Sequence, residues 1–486
     1  MFASQPGKIV NPDESICEGR ILLGKVQHRA AALTKMGVGP GERVVISHGS
    51  TDEFFADLYA TWQIGACAVC INERISDFEF TNIIEFAKPK IILVNTLEDR
   101  SSLGVTTECF VGRKEGFADG NIDHPGRGCL DDPALILFTS GTTGTPKGVV
   151  HSFRSILSRL TINQNYIGVA RLRKTLCLLP THFGHGLIGN CLTPLNCGGD
   201  LILHPLEDIN AFSRVGEKID SFAVSFLSSV PSMWRIIPKL SISPCKKTLE
   251  QVNVGSAPLS VGLWNQIIAW TGIRNVVNMY GITETANWIS GASATEFEPE
   301  EGLVGRVWAG TAVVRAESGN VSSVGKGEIL IQVPTLMQGY LNQSELTDGV
   351  FKGEFFCTGD TGSIDKEGVI RIFGRRKLEI NRAGIKINPE EIETLVEKKE
   401  FVTEACVFAI PDEIAGESVG IAIVFSNLSP EASSAEISHE VEITKAWLRH
   451  HVVEEKVPEK WYILPGIPKT DRGKIDRLRV TASCLG

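Results

Sequence analysis

The chain has 486 residues, of which 43% are hydrophobic and 22% are charged, and its formal net charge is −9. A single hydrophobic core stops growing well below this length, so we expect at least two domains. The acidic balance argues against a nucleic-acid partner, and the lack of any apolar run near the roughly 18 residues of a membrane helix predicts no membrane span.

The twelve cysteines are scattered through apolar contexts, which is typical of a reducing compartment. The N-terminal stretch lacks the apolar core of a signal peptide, and we therefore predict a cytoplasmic protein. Cys67 and Cys70 form a C-x-x-C pair of the kind used in metal binding or redox chemistry. Their apolar context, GACAVCIN, and the lack of a second such pair favour a buried strand instead.

In the first hundred residues, segments with helical spacing alternate with short apolar runs, which predicts an α/β fold with parallel-type sheets covered by helices. The predicted helices cover residues 21–33, 54–64 and 78–86, and the predicted strands cover residues 43–47, 67–71 and 91–94. Residues 95–130 are more polar and glycine-rich, and we expect them to be irregular. Later strands are predicted at residues 176–179, 222–226, 251–253 and 275–279.

One stretch, LFTSGTTGTPKGVVHSF at residues 137–153, has the composition of a phosphate-binding loop. It follows a strand-like run at residues 134–138 and precedes an apolar segment that we expect to begin a helix at Val149. Glycines allow close approach to a polyphosphate, hydroxyls and amides donate to its oxygens, and Lys147 supplies positive charge. A surface turn would not need this density of donors, and a Walker loop is excluded because Gly148 follows the lysine.

Two more predicted strands open onto loops of small residues. The run at residues 251–253 leads into GSAPLS, and the run at residues 275–279 leads into YGITET. Because ligands of parallel sheets bind beyond the carboxyl ends of the strands, both loops are expected to reach the ligand of the hydroxyl-rich loop.

TSGTTGTPKG resembles the signature loop of the adenylate-forming superfamily, which includes AMP-dependent acyl-CoA synthetases, firefly-luciferase-like enzymes and peptide-synthetase adenylation domains. YGITE resembles a second motif of that family, and PKTDRGKIDR at residues 468–477 resembles its C-terminal motif. The resemblance extends over roughly residues 20 to 480, with every core motif in order. The chain departs from the pattern at Asn381, where many members carry lysine.

The resemblance implies a site for ATP and Mg²⁺. Tyr280 would stack on the base, Glu284 would hold the metal, and Asp360 would accept hydrogen bonds from the ribose hydroxyls, as carboxylates do well. The implied ATP-binding residues are Thr139, Ser140, Gly141, Thr142, Thr143, Gly144, Lys147, Ser256, Ala257, Pro258, Asn278, Tyr280, Gly281, Thr283, Asp360 and Arg375. Lys474, His182 and Thr283 are the implied catalytic residues.

The segment PTHFGHGLIG, beginning at Pro180, resembles the family's P-x-x-H-x-x-G-L motif. Without gaps, Phe183 falls on the family's histidine and His182 on its aromatic neighbour, so which of His182, Phe183 and His185 faces the phosphates stays open. By the same analogy, the acyl pocket is formed by His185, Ser229, Val230, Ser256, Asn287 and Trp288. Peptide-synthetase domains bind an α-ammonium group with an Asp in this segment, and its absence here predicts an acid without that group. The pocket lining, with one large aromatic and several small polar groups, favours a small, aromatic or oxygenated acid over a long saturated chain.

We expect residues 1–373 to form the AMP-binding domain, with a small antiparallel β subdomain near residues 302–345. Residues 374–486 are expected to form a small, mobile α+β lid. The resemblance implies a hinge at Lys377 and a thiol channel beside Gly384. A helix is predicted to start at Asn388 with a capping box completed by Glu391.

The implied reaction is ATP-dependent activation of a carboxylic acid to an acyl adenylate with release of pyrophosphate. Transfer to a thiol follows, with coenzyme A as the expected acceptor. The alternatives are transfer to a carrier-protein phosphopantetheine, or a non-catalytic nucleotide-binding homologue. A homodimer is compatible with the sequence.

Overall fold

The computed structural model describes residues 6–95, 110–112, 128–139, 147–382, 385–412, 416–429, 432–470 and 473–486. Within these residues the strands form sheets of seven, fifteen and five strands. Among the described helices, none has both the length and the hydropathy needed to cross a bilayer.

The strands follow one another in chain order. They are β1 (Ile9–Val10), β2 (Ile16–Cys17), β3 (Arg43–Ser47), β4 (Cys67–Cys70), β5 (Ile91–Val94), β6 (Phe110–Gly112), β7 (Pro133–Thr139), β8 (Lys147–Ser152), β9 (Lys174–Cys177), β10 (Asp200–Leu203), β11 (Phe226–Ser229), β12 (Gln251–Gly255), β13 (Val276–Ile282), β14 (Asn287–Ser293), β15 (Leu303–Val307), β16 (Thr311–Arg315), β17 (Val321–Ser322), β18 (Gly325–Gln332), β19 (Gly339–Tyr340), β20 (Phe351–Lys352), β21 (Phe355–Ile364), β22 (Ile370–Arg375), β23 (Ile380–Arg382), β24 (Ile385–Ile387), β25 (Val402–Asp412), β26 (Gly416–Phe425) and β27 (Lys460–Ile463).

The helices lie between these strands. They are α1 (Gly19–Lys35), α2 (Asp52–Gln63), α3 (Asp77–Ala87), α4 (Phe153–Ile167), α5 (Thr193–Leu195), α6 (Ile209–Ser213), α7 (Val215–Phe222), α8 (Pro231–Trp234), α9 (Ile237–Leu240), α10 (Val261–Thr271), α11 (Ser344–Val350), α12 (Pro389–Val396), α13 (Ser434–Arg449) and α14 (Arg477–Leu485). A π-helix covers His185–Leu192, and 3₁₀ turns cover Arg171–Arg173, Thr283–Thr285, Arg376–Leu378 and Glu454–Lys456.

The predicted α/β architecture is confirmed. In the seven-stranded sheet, β6, β5, β3, β4 and β7 are parallel, and β8 and β19 close the other edge with antiparallel pairings. Cys67 and Cys70 lie in β4 as buried free thiols, as the apolar context predicts. The fifteen-stranded sheet joins parallel strands β9 to β13 with the antiparallel strands of the predicted β subdomain, through β14 and β15.

The five-stranded sheet belongs to the C-terminal part of the chain. It contains β23 to β27 and is covered by α12, whose Ile392 and Val396 are fully buried. Strand β22 still pairs with β21 in the large sheet, so the change of sheet falls between Arg375 and Ile380. The two-domain division at residue 373 stays a prediction.

The helix predicted at Val149 is wrong, because the chain forms strand β8 before α4 begins. Val149 pairs with Leu137 of β7 across an antiparallel ladder, and β-branched side chains favour such a strand. Gly148 sits where a Cβ would approach Phe138 and Leu341 to 3.2 Å. Helix α4 starts only after Ser152, whose hydroxyl caps it by accepting from the Ser155 amide.

Other local predictions also need correction. The segment 95–130 contains strand β6, and the strand predicted at residues 222–226 begins only at Phe226 because α7 extends to Phe222. The start of α12 at Asn388 is confirmed, but the capping box is wrong. Asn388 accepts from the Glu390 amide, while the Glu391 carboxylate pairs with Lys456 at 2.7 Å.

We expect Trp234→Ala to destabilise the large domain by about 3–5 kcal/mol, the range for removing a buried aromatic side chain. Trp234 is fully buried and its ring lies 5.7 Å from that of Trp270. Chemical denaturation measures the change. Ile242→Ala is the control, because Ile242 is 87% exposed and should shift the free energy of unfolding by less than about 0.5 kcal/mol. Equal effects of the two substitutions would contradict this account of the core.

Candidate active site

The carboxyl ends of the parallel strands bring together the segments predicted from sequence. Ser229 is the last residue of β11, and Val230 follows it. Ser256 follows β12, and the Thr283–Thr285 turn follows β13. Strand β13 runs to Ile282, so Tyr280 and Gly281 lie within it, not in the loop expected there. Because β11, β12 and β13 pair in parallel, these residues share one edge of the sheet.

A buried acid lies at the centre of this edge. Asp360 is 3% exposed, accepts a hydrogen bond of 2.5 Å from the Tyr280 hydroxyl, and pairs with Arg375 at 2.6 Å. Burial raises the pKa of Asp360, while the guanidinium of Arg375 and, to a smaller extent, the charge of Lys474 act in the opposite direction. The same burial, together with the Asp360 charge, raises the pKa of Tyr280. The Asp360 carboxylate is therefore a hydrogen-bond acceptor that lies beside the aromatic ring of Tyr280.

The carboxylate of Glu284 lies on the turn after β13. Its Oε1 accepts a hydrogen bond of 2.8 Å from Tyr340 of β19. Within the described ranges, no group of three or more His, Cys, Asp or Glu side chains is gathered for a metal. A single carboxylate still fits Mg²⁺, which usually binds one or two protein carboxylates together with substrate phosphates. The donor set therefore suits a magnesium nucleotide better than a free metal ion.

The hydroxyl-rich loop connects β7 to β8. Thr139 pairs with Lys147 at its base, so both ends of the loop are fixed by the ladder. Ser140, Gly141, Thr142, Thr143 and Gly144 lie outside the described residues, as does Gly384 of the predicted thiol channel. The main chain of Lys377, the predicted hinge, lies in the 3₁₀ turn between the large and small sheets.

His185 is held between two strand ends. Its Nδ1 lies 2.9 Å from the Ser256 hydroxyl and its Nε2 lies 2.6 Å from the Ser228 hydroxyl. Burial first, and then the positive charge of Lys474, lower the pKa of His185 to about 3. The imidazole is therefore neutral at physiological pH. His182 is half-buried in the preceding turn, whereas Phe183 packs in the hydrophobic core.

The predicted acyl pocket residues lie around His185. The indole of Trp288 meets the imidazole edge to face at 5.1 Å, and Ser229, Val230 and Asn287 are buried. Trp288 also packs tightly on the π-helix, since a Cβ on Gly189 would lie only 2.7 Å from its Cη2 atom. The aromatic side chain therefore closes one wall of this region.

Lys474 belongs to a turn of the C-terminal part that reaches the large domain. Next to it, a Cβ on Gly473 would lie 2.6 Å from the Ser232 hydroxyl. The Lys474 side chain is exposed, and its positive charge acts to lower the pKa of both His185 and Asp360.

Other predicted ATP contacts are distributed along the same strands. Asn278 is buried and donates to the Leu303 carbonyl at 2.7 Å, so its amide already has a structural partner. Ala257 is half-buried and Pro258 is exposed after β12. The sequence did not reveal Ser228 and Tyr340, because neither lies in a recognisable motif and only the strand register brings them to the site.

Two family models match the chain. The AMP-binding enzyme model matches residues 20–341, and the AMP-binding enzyme C-terminal domain model matches residues 391–474. The chain belongs to the AMP-binding enzyme family. It is an ATP-dependent ligase of the AMP-forming type, which activates carboxylic acids.

Characterised relatives extend over nearly the whole chain. A long-chain-fatty-acid–CoA ligase, FadD13 of Mycobacterium tuberculosis, is 29% identical over 92% of this chain and 89% of its own length. An oxalate–CoA ligase of Arabidopsis thaliana is 25% identical over 92% and 90%. The ATP-bound structure of MatB from Rhodopseudomonas palustris matches with a TM-score of 0.85 and 24% identity, over 99% of this chain and 97% of that one, and shows the shared fold.

The buried neutral state of His185 predicts a pH dependence of stability. Its pKa near 3 in the folded protein lies below the ordinary value, so the unfolded chain binds the proton more readily. The free energy of unfolding therefore falls as the pH drops below about 6.5 and continues to fall toward about 3. His185→Asn should lose less stability than the wild type between about pH 7 and about pH 5, measured by chemical denaturation. An equal loss of stability in both proteins would show that protonation of His185 does not cause this pH dependence.

Proposed function

We propose that this ligase joins a small carboxylic acid to the thiol of coenzyme A through an acyl adenylate. The observation that carries the proposal is that Asp360 is buried against Tyr280 and Arg375 at this sheet edge, while the turn next to Lys474 packs on Ser232, which lies just after β11. One lysine can then stabilise charge shared between the substrate carboxylate and the α-phosphate of ATP.

In the first half-reaction, the substrate carboxylate attacks the α-phosphorus of ATP and pyrophosphate leaves. Asp360 accepts hydrogen bonds from the ribose, and Thr283 with the loop that ends at Lys147 binds the departing phosphates. Lys474 stabilises the negative charge that develops between the two reactants, which is the kind of electrostatic effect on which active sites rely most. When bound at Glu284, Mg²⁺ neutralises phosphate charge and orients the leaving group.

In the second half-reaction, a thiol attacks the acyl carbonyl and AMP leaves. We assign the hinge to Lys377 and the thiol path to the neighbourhood of Gly384 on family resemblance. Coenzyme A is favoured over a carrier-protein phosphopantetheine because the relatives that match most of the chain are named CoA ligases. Measuring thioester formation with free CoA tests this choice directly.

The acid is expected to be small and to lack an α-ammonium group. The pocket region combines buried neutral groups with one large aromatic wall, Trp288. No Asp or Glu lies between Pro180 and Gly189 to pair with an ammonium ion, and an unpaired ion in such a region is costly. An aromatic or oxygenated acid suits this lining better than a long saturated chain.

A cytoplasmic location is also part of the proposal. Its support is that the cysteines in the described residues are free thiols, as expected in a reducing compartment. A homodimer stays a prediction.

Lys474→Ala should reduce pyrophosphate release by about 10²–10³, because it removes one stabilising charge from the first transition state. Transfer from preformed acyl adenylate to CoA should be largely retained. Single-turnover measurements of each half-reaction provide the comparison, with Lys460→Ala at an exposed position as the control. Similar losses in both half-reactions would contradict the assigned role.

A pyrophosphate-release assay with α-amino acids, benzoate-like acids, short-chain acids and long-chain acids tests the substrate class. We expect benzoate-like or short-chain acids to react best. Trp288→Ala should shift activity toward longer acids, because the substitution removes the aromatic wall. Trp308→Ala is the matched control, since Trp308 stacks on Tyr166 at 3.9 Å instead of on His185. Preference of the wild type for an α-amino acid or a long-chain acid would overturn the assignment.

A further inference from the structure

The three main-chain carbonyls of the short turn that carries Glu284 accept hydrogen bonds from three separate elements. The Thr283 carbonyl accepts from His151 Nε2 at 2.8 Å, and the Glu284 carbonyl accepts from the Met337 amide at 2.8 Å. The Thr285 carbonyl accepts from Arg159 Nε at 3.3 Å. Each carbonyl of the turn is therefore fixed by a group outside its own hairpin.

His151 links this turn to the hydroxyl-rich loop. It lies on β8, four residues after Lys147, so the two side chains share one face of the strand. The imidazole is fully buried, and burial lowers its pKa to about 4, so it is neutral. Because the Thr283 carbonyl can only accept, the proton lies on Nε2, and Nδ1 has no hydrogen-bond partner among the described residues.

Arg159 supports the turn from helix α4. The side chain is 1% exposed and also donates to the Thr335 hydroxyl. In the part of the chain that is described, no carboxylate pairs with this guanidinium, and burial lowers its pKa to about 9. It remains charged at neutral pH. A buried unpaired cation is costly, and an apolar side chain would fill the same volume more cheaply. The hydrogen bonds that Arg159 donates to the turn and to Thr335 offset part of this cost.

The seven-stranded sheet also positions the side chain of Glu284. Tyr340, which donates to the carboxylate, lies on β19 and pairs with Val149 of β8. Both the carboxylate and the turn beneath it are thus fixed relative to the strand that leaves the hydroxyl-rich loop, although Glu284 itself follows a strand of the other sheet.

We propose that His151 and Arg159 are positioning residues that hold the Glu284 carboxylate in place relative to strand β8 for magnesium-nucleotide binding. The inference rests on the proposed function, in which Glu284 binds the metal and the loop binds the phosphates. Mg²⁺ requires near-ideal octahedral geometry, so a small displacement of one ligand weakens binding. Partners behind a metal ligand typically change metal affinity by about 10- to 100-fold when removed.

The test compares binding of a non-hydrolysable ATP analogue with and without Mg²⁺, by isothermal titration calorimetry. We expect His151→Leu and Arg159→Met each to reduce the Mg²⁺-dependent gain in affinity by about 10-fold. Metal-free binding should change by less than about 2-fold, since the positioning acts on the metal ligand. His151→Gln keeps an N–H donor and should recover most of the loss.

His204→Leu is the matched control. His204 is another buried histidine that bonds a main-chain carbonyl, that of Ala211 at 2.8 Å, but it lies away from this turn. The variant should keep the wild-type gain. If His151→Leu weakens binding equally with and without Mg²⁺, or leaves the gain unchanged, the proposal is overturned. The His151 series decides the matter even if Arg159→Met fails to fold.

The Glu284→Gln variant distinguishes failure of this inference from failure of the proposed function. If this variant keeps the Mg²⁺-dependent gain, Glu284 is not the metal ligand and both assignments fail. If Glu284→Gln loses the gain while His151→Leu and Arg159→Met retain it, the magnesium assignment stands and only the positioning role is wrong.

Discussion

The pairing of β19 with β8 is the contact on which the candidate site depends. Gly339 and Tyr340 pair with Val150 and Val149, and the flanking amides of Gln338 and Leu341 extend the ladder. This short ladder returns the chain to the seven-stranded sheet after it has built most of the fifteen-stranded one. It places Tyr340 beside the Glu284 carboxylate, and the bond from His151 of β8 to the Thr283 carbonyl connects the same turn to the same strand. Together these contacts fix the Glu284 turn relative to the strand that follows the hydroxyl-rich loop.

Burial sets the electrostatics of the site. Asp360 is kept as an acceptor by Arg375 and Tyr280, although burial alone favours its neutral form. His185 is neutral because burial and the nearby lysine both disfavour its protonation. The positive charge of Lys474 thus acts in a region where the imidazole is neutral and the carboxylate is paired with Arg375.

Sequence reasoning worked where the pattern is local. The strand at residues 43–47 matches β3 to the residue, and the alternation of helices and strands predicts the parallel sheets correctly. It failed at Val149, because a short apolar run fits a helix or a strand equally well and only a distant partner strand decides. The supports of the candidate site were missed for the same reason. His151 contacts a residue 132 positions away and Tyr340 one 56 positions away, and no local periodicity reports such contacts.

Several of the described contacts between the C-terminal part and the large domain are polar. Arg235 donates to the Thr403 carbonyl at 2.8 Å and pairs with Glu397 at 2.6 Å, and Lys398 lies 3.1 Å from Glu301. An exposed pair such as the last contributes only about 0–1 kcal/mol. The exposed pair between Lys398 and Glu301 would regain water if it separated, so it opposes the predicted motion of the lid less than an apolar interface would. The more buried pair between Arg235 and Glu397 would cost more to separate.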